Sequence, residues 1–180
     1  ERRVMKTYEY DQVNSKLHKQ KIEPQKIGNY KYPLYENNYA RGGHGLFSTI
    51  NDFSIFIKML HSGKSINGHQ ILENKILKLI HTNALEDYYF PIEIPSIGIV
   101  RDVNYVNDLQ AYGWGYGCRT LMNLSKNNNL GSLGEFGWAG AASTYFLVDN
   151  SKEISALLMT QVLNGSPELK KDFYKFIYTN

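Results

Sequence analysis

The chain has 180 residues, 42% of them hydrophobic and 21% charged, with a formal net charge of +3. That is an ordinary globular composition, long enough to close one core. The small net charge leaves no electrostatic footprint for nucleic acid, and no apolar run approaches the ~20 residues of a membrane span.

Charge is uneven along the chain. Residues 1–32 hold eight Lys/Arg against four Asp/Glu, and the remainder holds twelve against thirteen. A mildly basic start of this kind reads as solvated surface. Cys118 is the single cysteine, so no intramolecular disulfide can form. Glu1-Arg2-Arg3 is not followed by an apolar stretch, so no signal peptide is visible and the compartment stays open.

Residues 1–39 are polar, with Pro24 and Pro33, and predict an extended or irregular segment that wraps a surface. Gly42-Gly43-His44-Gly45 can turn sharply. Thr49 can then cap a helix with Asp52 in its first turn. Phe53, Phe56, Ile57 and Leu60 fall on one face of it, and Gly63 supplies the stop. A second helix is expected from about Asn74, burying Ile76, Leu77 and Ile80. Residues 40–110 thus read as part of a helical region, mixed in character after residue 84.

From residue 111 the period changes. Tyr112, Trp114, Tyr116 and Cys118 alternate with Gly113, Gly115 and Gly117, which argues for a strand bare on one side. Ser125–Asn129 reads as a loop. Ser143–Asp149 and Glu153–Val162, joined by Asp149-Asn150-Ser151-Lys152, predict an antiparallel hairpin. Both strands are apolar on both faces and need cover on both sides. Ser166 and Pro167 open a final helix with an apolar stripe of Leu169, Phe173, Phe176 and Ile177. Residues 111–180 therefore read as antiparallel strands and a C-terminal helix, and the fold class as α+β. The final helix can cover one sheet face only, which leaves residues such as Tyr145, Leu147, Leu157 and Met159 in want of a partner.

Gly63-Lys64-Ser65 ends like a phosphate-binding loop, but Lys58 stands where its first glycine belongs. The five histidines show no zinc-type spacing, so no metal site is expected; His61 and His81, near helix ends, read as surface residues. Nothing near Cys118 in the sequence would activate its thiol, which reads as packed. The informative stretch is Gly134-Glu135-Phe136-Gly137-Trp138-Ala139-Gly140-Ala141-Ala142-Ser143. Its small residues suit either a tight packing corner or a strand along which a substrate can lie.

Taken together, several segments resemble the serine β-lactamase and penicillin-binding-protein superfamily, in its class C-like, esterase-like branch. Gly42-Gly43-His44-Gly45-Leu46-Phe47-Ser48-Thr49 is similar to that branch's G-G-x-G-L-x-S-T element. Tyr112-Gly113-Trp114-Gly115-Tyr116-Gly117 resembles its Y-G-x-G-x-G strand, and Trp138-Ala139-Gly140 its third active-site motif, K-T-G, H-x-G or W-x-G. Met159-Thr160-Gln161 and the final helix resemble the family ending. The resemblance runs from about residue 40 to residue 180.

It implies an antiparallel sheet flanked by helices, a helical region, and acyl-enzyme hydrolysis at serine without metal or cofactor. It further implies a bacterial protein of cytoplasm or cell envelope. The backbone N–H of Ala141 would be one oxyanion donor, with Trp138, Ala139, Gly140, Trp114 and Tyr116 lining the substrate cleft. Trp138 in place of a cation or imidazole favours a neutral ester or amide over a carboxylate-bearing substrate. The pattern departs from the family at the nucleophile, for no serine has lysine three positions later. The second motif, Y-x-N or Y-x-S, is matched only at Tyr35, Tyr105 and Tyr178, none of them in place. The chain is therefore expected to begin after both motifs, as an incomplete C-terminal part completed by an N-terminal segment in cis or in trans. The rival reading is a non-catalytic module that binds a peptide or glycan around Trp114, Tyr116 and Trp138.

Overall fold

The computed structural model describes residues 5–19, 25–27, 30–32, 46–85, 111–163, 165 and 167–179. The expected turn at Gly42–Gly45, the segment 86–110 and the capping role of Ser166 lie outside them. Within the N-terminal segment, β1 (Tyr8–Asp11) pairs antiparallel with β2 (Lys16–Lys19), and β3 (Gln25–Ile27) with β4 (Tyr30–Tyr32). Composition suggested extended or irregular chain here, but local hydrogen bonding closes the first hairpin. The Asp11 carboxylate accepts the N–H groups of Val13 and Asn14, at 2.9 and 3.2 Å.

Helix α1 (Ile50–Ser62) forms as its capping residues require. The Thr49 hydroxyl accepts the Asp52 N–H at 3.2 Å, and Gly63 ends the helix at φ +73°. Ile57 and Leu60 are buried and Phe53 half-buried, whereas Phe56, expected on the same face, is exposed. Helix α2 (Asn74–Ile80) buries less than its sequence predicts: Leu77 and Ile80 are half-buried and Ile76 is exposed.

The remaining strands are β5 (Tyr112–Trp114), β6 (Arg119–Leu121), β7 (Phe136–Gly140), β8 (Thr144–Asp149) and β9 (Ile154–Leu158). They form an antiparallel sheet in the order β5-β6-β7-β8-β9. Two boundaries differ from expectation. The run 112–118 is not one strand, because the chain reverses between Trp114 and Arg119. The second hairpin strand ends at Leu158 rather than Val162; beyond it, β10 (Val162–Leu163) pairs in parallel with β1, Tyr8 opposite Val162.

Register decides the two sheet faces. Phe136 lies opposite Val148, Trp138 opposite Phe146, and Phe146 opposite Leu157. This face packs on α1, where Ile57 and Leu60 meet Cys118, Phe136 and Val148. The residues expected to want one partner do not share a face: Leu157 is half-buried against α1, whereas Tyr145 and Leu147 lie on the other side of the sheet. The opposite face carries Tyr112, Leu121 and Leu147, all fully buried, and meets α3 (Pro167–Tyr178), where Phe173 stacks on Tyr145.

The predicted apolar stripe of α3 holds in part: Leu169, Phe173 and Ile177 are half-buried, but Phe176 is not. Phe176 is 73% exposed, and Lys170 and Tyr174 are buried in its place. They close over polar groups on the sheet: Arg119 and Glu135 are each 1% exposed and Asp149 is 0% exposed. Arg119 donates to the Tyr174 hydroxyl at 2.8 Å, and Tyr174 donates to Glu135 Oε1 at 2.7 Å. The Tyr178 hydroxyl lies 2.9 Å from Glu135 Oε2 and 3.1 Å from Asp149 Oδ2. Arg119 also lies over the Tyr112 ring, 4.5 Å from its centroid.

One hydroxyl proton cannot serve both carboxylates fully, so the pocket favours a proton retained on a carboxyl. Burial pushes the Glu135 carboxyl above the usual glutamate range, and Asp149 adds to the push; the Tyr174 and Tyr178 hydroxyls and the Arg119 charge oppose it. A carboxyl raised in this way binds its proton more tightly folded than unfolded. Its stabilisation is complete below the ordinary glutamate pKa of ~4.3 and is lost as pH rises through the native value. Glu135→Gln keeps the neutral shape without titrating. In urea unfolding from about pH 4 upward, the stability of Glu135→Gln relative to wild type should rise with pH. A relative stability that falls with pH would mean that the fold holds Glu135 ionised.

Candidate functional site

The candidate site lies where β7 outruns its neighbour. β6 pairs β7 only at Thr120 opposite Phe136 and Arg119 opposite Gly137, whereas β8 pairs β7 along its whole length. Beyond Gly137, Trp138, Ala139 and Gly140 have a strand partner on the β8 side only, among the described residues. Exposure follows that geometry: Phe136 and Gly137 are buried, Trp138 and Ala139 half-buried, Gly140 and Ala141 exposed.

β6 is short because the chain turns tightly before it. The Gly115 N–H donates to the Cys118 carbonyl at 2.8 Å. A Cβ on Gly115 would lie 2.0 Å from the Ile80 carbonyl, so the close approach of this turn to the end of α2 requires glycine. Sequence alternation suggested a continuous strand because the glycines mimic its period; close approach is the use of Gly113 and Gly115, and a left-handed backbone at φ +87° that of Gly117.

The structure brings two of the three predicted aromatics together. Trp114 and Trp138 meet edge to face, with ring centroids 4.5 Å apart at 88°. Tyr116 stands on the intervening turn, 65% exposed, and touches neither indole ring among the described residues.

At the end of β7 the chain reverses through residues 141–143. The Ser143 N–H donates to the Gly140 carbonyl at 3.0 Å, and Ser143 takes φ +58°. The N–H and C=O of a trans peptide point in opposite directions. Since the Gly140 carbonyl faces into the turn, the Ala141 N–H on the same plane faces out of it, and no acceptor meets it among the described residues.

Sequence reasoning did not single out the groups that hold this turn. The Ser143 hydroxyl donates to the Val162 carbonyl at 2.8 Å, and the Val162 N–H donates to the Ala142 carbonyl at 3.2 Å. The Thr160 hydroxyl is shared between the carbonyls of Ala142 and Ser143, the latter at 3.0 Å. The available signal was polar: Ser143 and Thr160 are hydroxyl residues at the ends of otherwise apolar strands.

The other reactive side chains are not arranged for chemistry. Burial pushes the Cys118 thiol up to about 11, so it is a packed thiol at neutral pH. His61 and His81 are half-buried rather than surface residues; His81 stacks on Phe136, and desolvation lowers its pKa. A cavity of about 240 Å³ lies between α1 and the loop after it, lined by Ile55, Lys58, Ser62, Lys64, Ser65 and Ile66, none of them a candidate site residue. No helix among the described residues is long and apolar enough to cross a membrane.

Comparison with known proteins agrees with the fold. The model of the beta-lactamase family matches residues 7–177. Protein Rv1367c of Mycobacterium tuberculosis is 25% identical over 138 residues, which are 75% of this chain and 31% of that protein. The uncharacterized protein MT1414, from another strain of that organism, matches at the same identity and coverage. Among solved structures, a mutant of the simvastatin synthase LovD from Aspergillus terreus superposes with a TM-score of 0.71 at 16% identity, covering 99% of this chain and 42% of that one. The unliganded form of that synthase gives 0.70 at 14% identity, covering 99% and 43%. The chain thus spans about a third of the length of the curated relatives it matches and carries part of the LovD fold.

The contact between the two indoles is measurable. A double-mutant cycle of Trp114→Ala and Trp138→Ala, read by denaturant unfolding, should give a coupling of about 0.5–1.5 kcal/mol. Strict additivity would show that the rings do not meet in solution.

Proposed function

The chain belongs to the beta-lactamase family, and from that membership we propose that it is the C-terminal part of a serine hydrolase acting through an acyl-enzyme on a neutral ester or amide. One observation carries the reading: among the described residues, Ala139 and Gly140 have a strand neighbour on the β8 side only, and they lead into an exposed turn whose Ala141 N–H faces outward and meets no acceptor there. Acyl transfer needs such a donor, fixed before the reaction, where charge develops on the carbonyl oxygen. The small side chains of Ala139 and Gly140 let a substrate lie along the strand, and Trp138 gives it an apolar wall suited to an uncharged acyl group.

In this reading the nucleophile, its lysine and the tyrosine that assists proton transfer come from an N-terminal portion, in cis or in trans. That portion would also supply the second oxyanion donor, from the nucleophile's own N–H. Leu46, Phe47 and Ile50, all exposed around the start of α1, are apolar surface that it could cover. A purely binding role around the aromatics is less well supported, since Trp114 and Trp138 pack on each other and Tyr116 stands apart.

The test compares the 180-residue chain with the full-length gene product that carries it. A fluorophosphonate probe should label the full-length product on a serine upstream of residue 1, and that product should hydrolyse a short-chain ester. The 180-residue chain should do neither. Turnover by the short chain, abolished by Cys118→Ala or by one Ser→Ala substitution, would overturn the assignment, as would a full-length product that neither labels nor turns over.

A further inference from the structure

We infer that Thr160 is a positioning residue for the oxyanion-binding amide of Ala141, acting through the turn carbonyls rather than by touching substrate. The catalytic meaning of this inference rests on the hydrolase reading above; its structural content does not.

A relay of rigid peptide planes links Thr160 to the Ala141 amide. The Thr160 hydroxyl bonds the Ala142 carbonyl, which also receives the Val162 N–H at 3.2 Å. The plane that carries the Ala142 carbonyl also carries the Ser143 N–H, pointing the opposite way. That N–H donates to the Gly140 carbonyl at 3.0 Å. The Gly140 carbonyl shares its plane with the Ala141 N–H, which is therefore turned outward. Each plane fixes the next, and the relay begins at residues 160–162, outside the turn itself.

The second hold is on the strained residue. Ser143 sits at φ +58°, a region that costs a non-glycine residue roughly 1 kcal/mol. Its carbonyl accepts from Thr160 at 3.0 Å, and its hydroxyl donates to the Val162 carbonyl at 2.8 Å. One hydroxyl at position 160 thus reaches the two successive carbonyls that fix the turn's hand. Without it, the Ala142–Ser143 plane keeps only the 3.2 Å bond from Val162 on its carbonyl side. The Gly140–Ala141 plane can then swing, and the Ala141 N–H loses its fixed aim. A donor that must reorient as charge develops stabilises the transition state less than one already aimed.

The test uses the full-length gene product and three variants. Thr160→Val keeps the shape and removes the hydroxyl; kcat for an ester should fall about tenfold or more, with KM within twofold. That is a part of the 10²–10³ lost when an oxyanion donor is removed outright. Thr160→Ser restores the hydroxyl and should recover kcat to within about twofold of wild type. A residue that merely stabilises the fold would move melting temperature without this split between kcat and KM. If Thr160→Val does not fold, Ser143→Gly replaces it: glycine tolerates the left-handed backbone but lacks the tie to Val162, so kcat should again fall.

Wild-type kcat in Thr160→Val, or equal losses in Thr160→Val and Thr160→Ser, would overturn the inference. If the wild-type product has no hydrolase activity, the functional reading fails, and amide exchange then decides the structural claim. The Ser143 amide should exchange faster in Thr160→Val than in wild type or Thr160→Ser; unchanged exchange would overturn it.

Discussion

The hydrogen-bonded pocket between α3 and the sheet is the constraint on which the rest of the structure depends. Arg119 from β6, Glu135 before β7 and Asp149 at the end of β8 come from three separate segments, and Tyr174 and Tyr178 of α3 reach all three. Buried charges without partners cost far more than their pairing returns, so these groups must arrive together. The pocket therefore sets where α3 lies and the relative height of three strands. An apolar helix could have covered the same face with less penalty, but it would have tolerated sliding by a residue or a turn. A network with directional donors does not, because a slide would break several of its bonds at once.

That fixed height has a consequence for the site. Arg119 is both a member of the pocket and the first residue of β6, opposite Gly137 of β7. Holding Arg119 under α3 therefore fixes the point at which β6 begins and its pairing with β7 ends. Among the described residues, Ala139 and Gly140 then have a strand neighbour on the β8 side only, with the exposed turn beyond them. The same polar groups that lock the helix thus decide how much of β7 is paired with β6.

Much of this was legible in the residues, and the failures have physical reasons. Helix α1 was readable because Thr49, Asp52 and Gly63 are strong local signals and Ile57 and Leu60 lie on one face. The hairpin about Asp149 was readable for the same reason: its carboxylate accepts the Ser151 and Lys152 N–H groups, at 3.0 and 3.1 Å, within the turn. The face of α3 was read in part: Leu169, Phe173 and Ile177 turn inward, but hydrophobicity ranks Phe176 above Tyr174 and Lys170. Only the partners on the sheet, remote in sequence, draw Tyr174 inward as well. The strand 112–118 was misread because alternating glycines carry the period of a strand whether or not the backbone stays extended. At the site, the small residues 139–142 stood out in sequence, but which N–H faces outward depends on Ser143, Thr160 and Val162, which one-dimensional spacing does not connect.

The segment 159–163 couples parts of the molecule that would otherwise be independent. After Leu158 the chain leaves the five-stranded sheet, and Thr160 and Val162 bond the turn at 142–143. Val162 then pairs with Tyr8, and the Tyr8 N–H donates to the Gln161 carbonyl at 2.8 Å. The hairpin β1–β2 is therefore joined to the candidate site through one short stretch of backbone. A β10 of two residues has little stability of its own, since a strand pair that short closes few hydrogen bonds. It gains rigidity by being held on both sides, by β1 and by the turn, and loses it if either is released.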